Sequence, residues 1–151
     1  MIGILYKKIQ EFDVHFTFIM ELHIRAVEAS DVPKMDTVGK SDPYLKFHLS
    51  TSSQEWKTKS KKNTTTPVWN EEFHLPITSG MSDVLTVSLY DDDDVSKDDI
   101  ISNKGFTVKD FPPGKVVDQW YTFTPVKGAK SGGKVRLVFH LDKSGKTPFK
   151  A

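Results

Sequence analysis

The chain has 151 residues, 37% of them hydrophobic, which is enough for one domain with a true interior. With 21 Lys and Arg against 20 Asp and Glu its formal charge is +1, which excludes a nucleic-acid-binding polycation and an acidic tail. It contains no cysteine, which excludes a disulfide framework and any thiolate-ligated zinc or iron–sulfur centre.

Residues 1–19 carry two periodicities at once. Ile2, Leu5, Ile9, Phe12, Phe16 and Ile19 fall at helical spacing, whereas Val14, Phe16, Phe18, Met20 and Leu22 alternate as a strand. No apolar run approaches the ~20 residues that span a bilayer. The opening also lacks the basic start and long apolar middle of a secretory signal. Any membrane contact is therefore expected to be peripheral.

From residue 20 onward the period is two. Leu22, Ile24 and Ala26 mark a strand over 22–27, followed by strands over 44–49 and 54–61, the latter polar and basic. Phe73, Leu75 and Ile77 share one face of a strand over 68–77, and further strands are predicted over 84–90, 100–108, 119–124 and 134–141. Eight short strands punctuated by Pro, Gly and Ser-Gly, with no convincing helix between them, predict an all-β, eight-stranded antiparallel β-sandwich. The domain is placed at 20–142, after an N-terminal extension 1–19 and before a flexible tail 143–151.

Charge is distributed unevenly over this frame. Residues 91–99 hold six Asp and one Lys, at the exit of the strand 84–90, while 57–62 hold four Lys and no acid. Crowded carboxylates repel unless neutralised, and they suit a hard oxygen-seeking cation such as calcium. An EF-hand is excluded, because a loop starting at Asp91 has Val95 at position five, Ser96 at six and Ser102 at twelve. A second acidic pair, Asp36 and Asp42, flanks a loop that Gly39 allows to be tight and that Pro43 forces to leave extended. Taken singly, either aspartate has a simpler use in capping a turn.

Three strings resemble the C2 domain family. Asp36-x-x-Gly39-Lys40-Ser41-Asp42-Pro43-Tyr44 is similar to its first calcium loop, and Thr66-Pro67-Val68-Trp69-Asn70-Glu71-Glu72-Phe73 to its strand-entry motif. Tyr90-Asp91-x-Asp93-x-x-Ser96-Lys97-x-Asp99 is similar to its third loop. The resemblance covers 20–141 and, with 134–141 as the final strand, implies the second, circularly permuted topology. It implies five calcium-ligating carboxylates, Asp36, Asp42, Asp91, Asp93 and Asp99, assisted by the carbonyls of Met35 and Asp92. Asp92, Asp94 and Asp98 are otherwise expected to face water. Val38 and Val95 stand at the loop tips, where membrane-inserting relatives carry larger apolar groups, so ion bridging is favoured over deep insertion.

By the same resemblance Tyr44, Lys46, Lys57 and Lys59 match positions that bind phosphoinositide head groups in some members. Each Lys close to an anionic surface is worth ~1 kcal/mol. The plainer reading of these lysines is protection of a sheet edge.

Trp69, Trp120, Tyr121 and Phe123 read as core or sheet-surface packing, and Trp56 as exposed. The histidines at 15, 23, 48, 74 and 140 show no metal-ligand spacing, which argues against zinc. No phosphate loop or nucleophile elbow is present, so no enzyme is expected. The expectation is calcium-dependent binding of anionic phospholipid membranes, phosphatidylserine foremost with phosphoinositides as a further target, by a cytoplasmic stand-alone module recruited when calcium rises. The alternative is a calcium-independent adaptor that binds a protein or a phosphoinositide through the basic strand. Nucleic acid is not expected as a partner.

Overall fold

The computed structural model describes residues 20–35, 39–78, 82–126 and 128–143. The helix or strand anticipated in 1–19 and the tail beyond Lys143 lie outside the described residues.

Alternation of side chains builds the core. Leu22, Ile24 and Ala26 of β1 (Glu21–Ser30) are fully buried, as are Leu45, Phe47 and Leu49 of β2 (Pro43–Leu49). Leu85, Val87 and Leu89 of β5 (Val84–Asp91) and Val135, Leu137, Phe139 and Leu141 of β9 (Lys134–Asp142) join them. Period two places each set on one face of its strand, and burying each Val, Leu, Ile or Phe side chain contributes about 1.5–3 kcal/mol. The remaining strands are β3 (Glu55–Lys57), β4 (Val68–Pro76), β6 (Asp99–Thr107), β7 (Val116–Thr122) and β8 (Thr124–Pro125).

The strands form two antiparallel sheets, ordered β4-β1-β9-β7 and β3-β2-β5-β6-β8. β9 lies between β1 and β7, so the last described strand pairs with the first described one, as the permuted topology requires. The β4 motif has a structural use. Between Ala26 and Glu28 of β1 the partner advances from Glu71 to Val68, a bulge at which Asn70 takes φ 51, a left-handed conformation that Asn tolerates. Trp69 is buried there, and its indole N–H donates to the Pro43 carbonyl at 3.3 Å, tying β4 to the start of β2.

The anticipated strands change in two places. The third is regular only over Glu55–Lys57, because the buried Thr58 hydroxyl accepts the Leu45 N–H at 3.0 Å in place of a backbone partner. Backbone bonds from Thr58 to Leu45 and from Lys61 to Pro43 then continue along β2 with one extra residue on the outer chain. The anticipated strand 119–124 is instead β7, which ends at Thr122, and a two-residue strand β8 in the other sheet. Phe123, buried between them, makes the crossing, and a Cβ on Gly132 would lie 1.9 Å from its carbonyl oxygen, so only glycine fits there. Alternation runs unbroken through the crossing, so the pattern alone reads one strand.

One tryptophan departs from its expected place. Trp56 is opposite Phe47 in the β3–β2 register and packs on the core, whereas Trp120, opposite Arg136 on an outer face, is 47% exposed.

Candidate functional site

Three strand ends bring the acidic residues together. Asp42 directly precedes β2, Asp91 ends β5 and Asp99 begins β6. The register sets Pro43 against Asp91 and Asp91 against Asp99, so Asp42, Asp91 and Asp99 stand at neighbouring positions at one end of the five-stranded sheet. Asp91 is buried, and its Oδ1 accepts the Asp42 N–H at 2.8 Å, while the Asp92 N–H donates to the Asp42 carbonyl at 3.0 Å.

The turn 61–64 closes on the first loop. Asp42 Oδ1 accepts the Asn63 N–H at 2.6 Å, and its Oδ2 lies 3.4 Å from the Lys62 ammonium. Lys62 also reaches Asp94 at 3.8 Å. Its pKa is raised, first by the hydrogen bond to Asp42 and then by the charge of Asp94. Asn63 has φ 50, and its side-chain oxygen accepts the Lys40 N–H at 2.7 Å beside Gly39 at φ 81.

The loop 92–98 is self-capped. Asp93 accepts the Ser96 hydroxyl at 2.8 Å and the Val95 N–H at 3.1 Å, and these bonds hold its carboxyl below the ordinary range. Asp98 accepts the Asp93 N–H at 3.0 Å and the Tyr44 hydroxyl at 2.6 Å, which lower its pKa in that order. Burial, and then Asp98, push the Tyr44 phenol well above its usual range. Ser60 donates to Asp92 at 2.7 Å. The expectation that Asp92, Asp94 and Asp98 face water therefore holds for Asp94 alone. The other two carry loop-closing bonds, because a nine-residue acidic run closes only where hydroxyls and N–H groups offset its charge.

Among the described residues, no three of these loop carboxylates bring oxygens within 4.8 Å of one another. Asp42, Asp91, Asp92, Asp93 and Asp98 each accept from a separate donor, so these like charges are held apart. Met35 packs half-buried against the core, and Val95 is 96% exposed at its loop tip. Asp36 and Val38 lie outside the described residues.

Beside the acidic loops a cleft of about 400 Å³ is lined by Tyr44, Lys57, Thr58, Lys59, Ser60, Asp92 and Asp98. It unites three of the four residues anticipated for head-group binding, Tyr44, Lys57 and Lys59. Lys46 is not in it: its ammonium lies 3.5 Å from Glu55 and over the Tyr90 ring, 4.7 Å from the centroid. The inward-turned Thr58 leaves Lys57 and Lys59 exposed on either side of it.

Sequence reasoning missed Lys62, Asn63 and Ser60 as partners of the acids, and the Tyr44–Asp98 bond. The one available signal is Lys62-Asn63 ahead of a Thr run, a turn whose Asn suits positive φ.

A family model described as "C2 domain" matches residues 20–123. The chain belongs to the C2 domain family. Mouse (Mus musculus) cytosolic phospholipase A2 delta is 32% identical over 105 residues, covering 69% of this chain and 13% of that protein. The C2 domain designated A of plant Extended Synaptotagmin 1 superposes with a TM-score of 0.75 at 25% identity, covering 88% of this chain and 98% of that one. The calcium-bound pair of C2 domains, A and B, of Extended-Synaptotagmin 2 gives a TM-score of 0.69 at 26% identity, covering 80% of this chain and 45% of that one. The chain thus spans only a small part of the phospholipase, whose name describes a whole protein. As a C2 domain it is a binding module of the membrane-directed kind. Among the described residues no helix is long and apolar enough to cross a membrane.

Proposed function

We propose that this C2 domain binds anionic phospholipid in response to calcium. The observation that carries the reading is the convergence of Asp42, Asp91 and Asp99 at adjoining strand ends, with the Lys62 ammonium lodged against Asp42 and Asp94. This end of the sheet already seats a positive charge. The donors are carboxylate and carbonyl oxygens, the set a hard divalent ion takes in six- to eightfold coordination. Asp36, Asp42, Asp91, Asp93 and Asp99, with the carbonyls of Met35 and Asp92, would hold calcium, which would supply the positive charge that attracts lipid phosphate. A calcium-bound C2 pair among the structural relatives supports the assignment. Phosphatidylserine is the lipid proposed, and recruitment from the cytoplasm as calcium rises is the expected behaviour.

Calorimetric titration with calcium, with and without phosphatidylserine vesicles, tests this reading. Heat is expected in both, at lower calcium when vesicles are present, and no heat up to millimolar calcium rejects it. Lys62 competes with the ion for Asp42, so Lys62→Met is expected to tighten calcium binding roughly two- to fivefold, the scale of an exposed ion pair. Unchanged or weaker binding would show that Lys62 is no competitor.

The cleft favours a second reading, calcium-independent capture of a phosphoinositide or an acidic protein segment by Lys57 and Lys59. Lys57→Ala/Lys59→Ala is expected to weaken binding to phosphoinositide-containing vesicles in chelator roughly thirtyfold, at ~1 kcal/mol per lysine. No loss in chelator removes that reading.

A further inference from the structure

The outer face of the four-stranded sheet carries a second arrangement of metal-ligating side chains. Glu21 and His23 are two apart on β1 and so share a face, and the register sets His23 opposite His74 of β4. The two imidazoles stack with centroids 4.2 Å apart and planes within 11°. Glu21 Oε2 lies 3.0 Å from His23 Nε2 and 3.9 Å from His74 Nδ1. One carboxylate oxygen and two ring nitrogens, all within 4.8 Å of one another, thus form a single group. On the other side His140 of β9, opposite His23, meets the His23 ring edge-on at 5.6 Å and limits its rotation.

We propose that Glu21, His23 and His74 form a binding site for a zinc-class divalent ion, separate from the acidic loops. Two imidazoles and one carboxylate, with the fourth position left to water, are a ligand set that zinc takes. Imidazole nitrogen selects against calcium, which takes oxygen. Bond lengths of 2.0–2.1 Å at a tetrahedral angle place ligand atoms ~3.3 Å apart, and the 3.0 and 3.9 Å separations found here bracket that value. An imidazole holds a metal in its own ring plane, so accommodation takes a rotation of the His74 ring out of the stack and a small shift of Glu21. Both have the freedom, with side chains 34% and 51% exposed, and they leave an access path, while the buried His23 supplies the fixed ligand. A bound ion would clasp β4, an edge strand, to β1. The acidic loops begin beyond Ser30, roughly 23 Å further along β1 at ~3.3 Å per residue, so the two sites are independent.

The test uses the full chain without an affinity tag, titrated with Zn²⁺ by calorimetry and with Co²⁺ by visible absorption. One ion per chain is expected, with the intense bands of tetrahedral cobalt and a rise in melting temperature as Zn²⁺ saturates. Glu21→Gln and His74→Asn are expected to weaken binding by at least the ~10–100-fold that loss of an outer-shell partner costs. Should either variant fail to fold, shown by its circular dichroism in chelator, the other decides. Asp91→Asn/Asp93→Asn is expected to retain Zn²⁺ binding unchanged. No Zn²⁺ binding, binding indifferent to Glu21 and His74, or binding lost with Asp91 and Asp93 each overturns the proposal.

Discussion

Substituting asparagine for both Asp91 and Asp93 is expected to abolish calcium-dependent sedimentation with phosphatidylserine vesicles and to weaken calcium binding at least ~100-fold. Asp91 stands where β2, β5 and β6 end together, and Asp93 follows two residues on. A divalent cation is held by charge as well as by lone pairs, and two formal negative charges vanish while the side-chain shapes stay. The fold should tolerate the change. The asparagine replacing Asp91 keeps a carbonyl oxygen to accept the Asp42 N–H, and the one replacing Asp93 keeps an oxygen to accept the Val95 and Ser96 N–H groups, while its amide NH2 can donate to the Ser96 hydroxyl. A melting temperature near that of the parent protein, together with lost sedimentation, isolates the effect to the site. Sedimentation that persists unchanged would remove calcium bridging as the mechanism.

Phe139→Ala is expected to cost about 3–5 kcal/mol of stability, the range for truncating a fully buried aromatic. Phe139 is in β9, in register with Ile24 of β1 on one side and Val117 of β7 on the other. Its ring lies 5.0 Å from Phe106, 4.5 Å from Phe111 and 6.0 Å from Tyr121, centroid to centroid. One truncation therefore opens a cavity that faces both sheets. Urea unfolding should show a lower midpoint with an unchanged slope, and the melting temperature should fall by about 10 °C or more. A loss below about 1 kcal/mol would mean that the surrounding rings collapse into the space, contrary to close packing.

The two effects differ in how far the sequence discloses them. Phe139 lies in an alternating run bounded by turns, and alternation is a local property of a strand, so its burial is readable without a fold. The acidic loop is equally visible, since six Asp in nine residues demand neutralisation wherever they sit. Which groups neutralise them is not visible. Lys62 is 20 residues from Asp42 and 32 from Asp94, and it meets both only because the turn 61–64 folds onto the first loop. Tyr44 and Asp98 are likewise 54 residues apart in sequence.

Register explains the other differences. Trp56 reads as exposed because its sequence neighbours are polar, but its position opposite Phe47 turns it to the core. Lys46 reads as a partner of Lys57 and Lys59, yet Glu55 and the Tyr90 ring hold it away from the cleft. His23 and His74, 51 residues apart, have no spacing that any linear pattern detects, and one rung of the β1–β4 ladder stacks them.

The sequence by itself determined the all-β class, the period-two core, the permuted strand order and the grouping of acids in two loops. Each of these follows from local patterning or from short strings that match a known family. Only the tertiary structure decided which charges are matched, which lysines share a cleft and which histidines meet. Those outcomes depend on strand register and loop closure, and a shift of one residue in register turns every side chain of a strand to the opposite face.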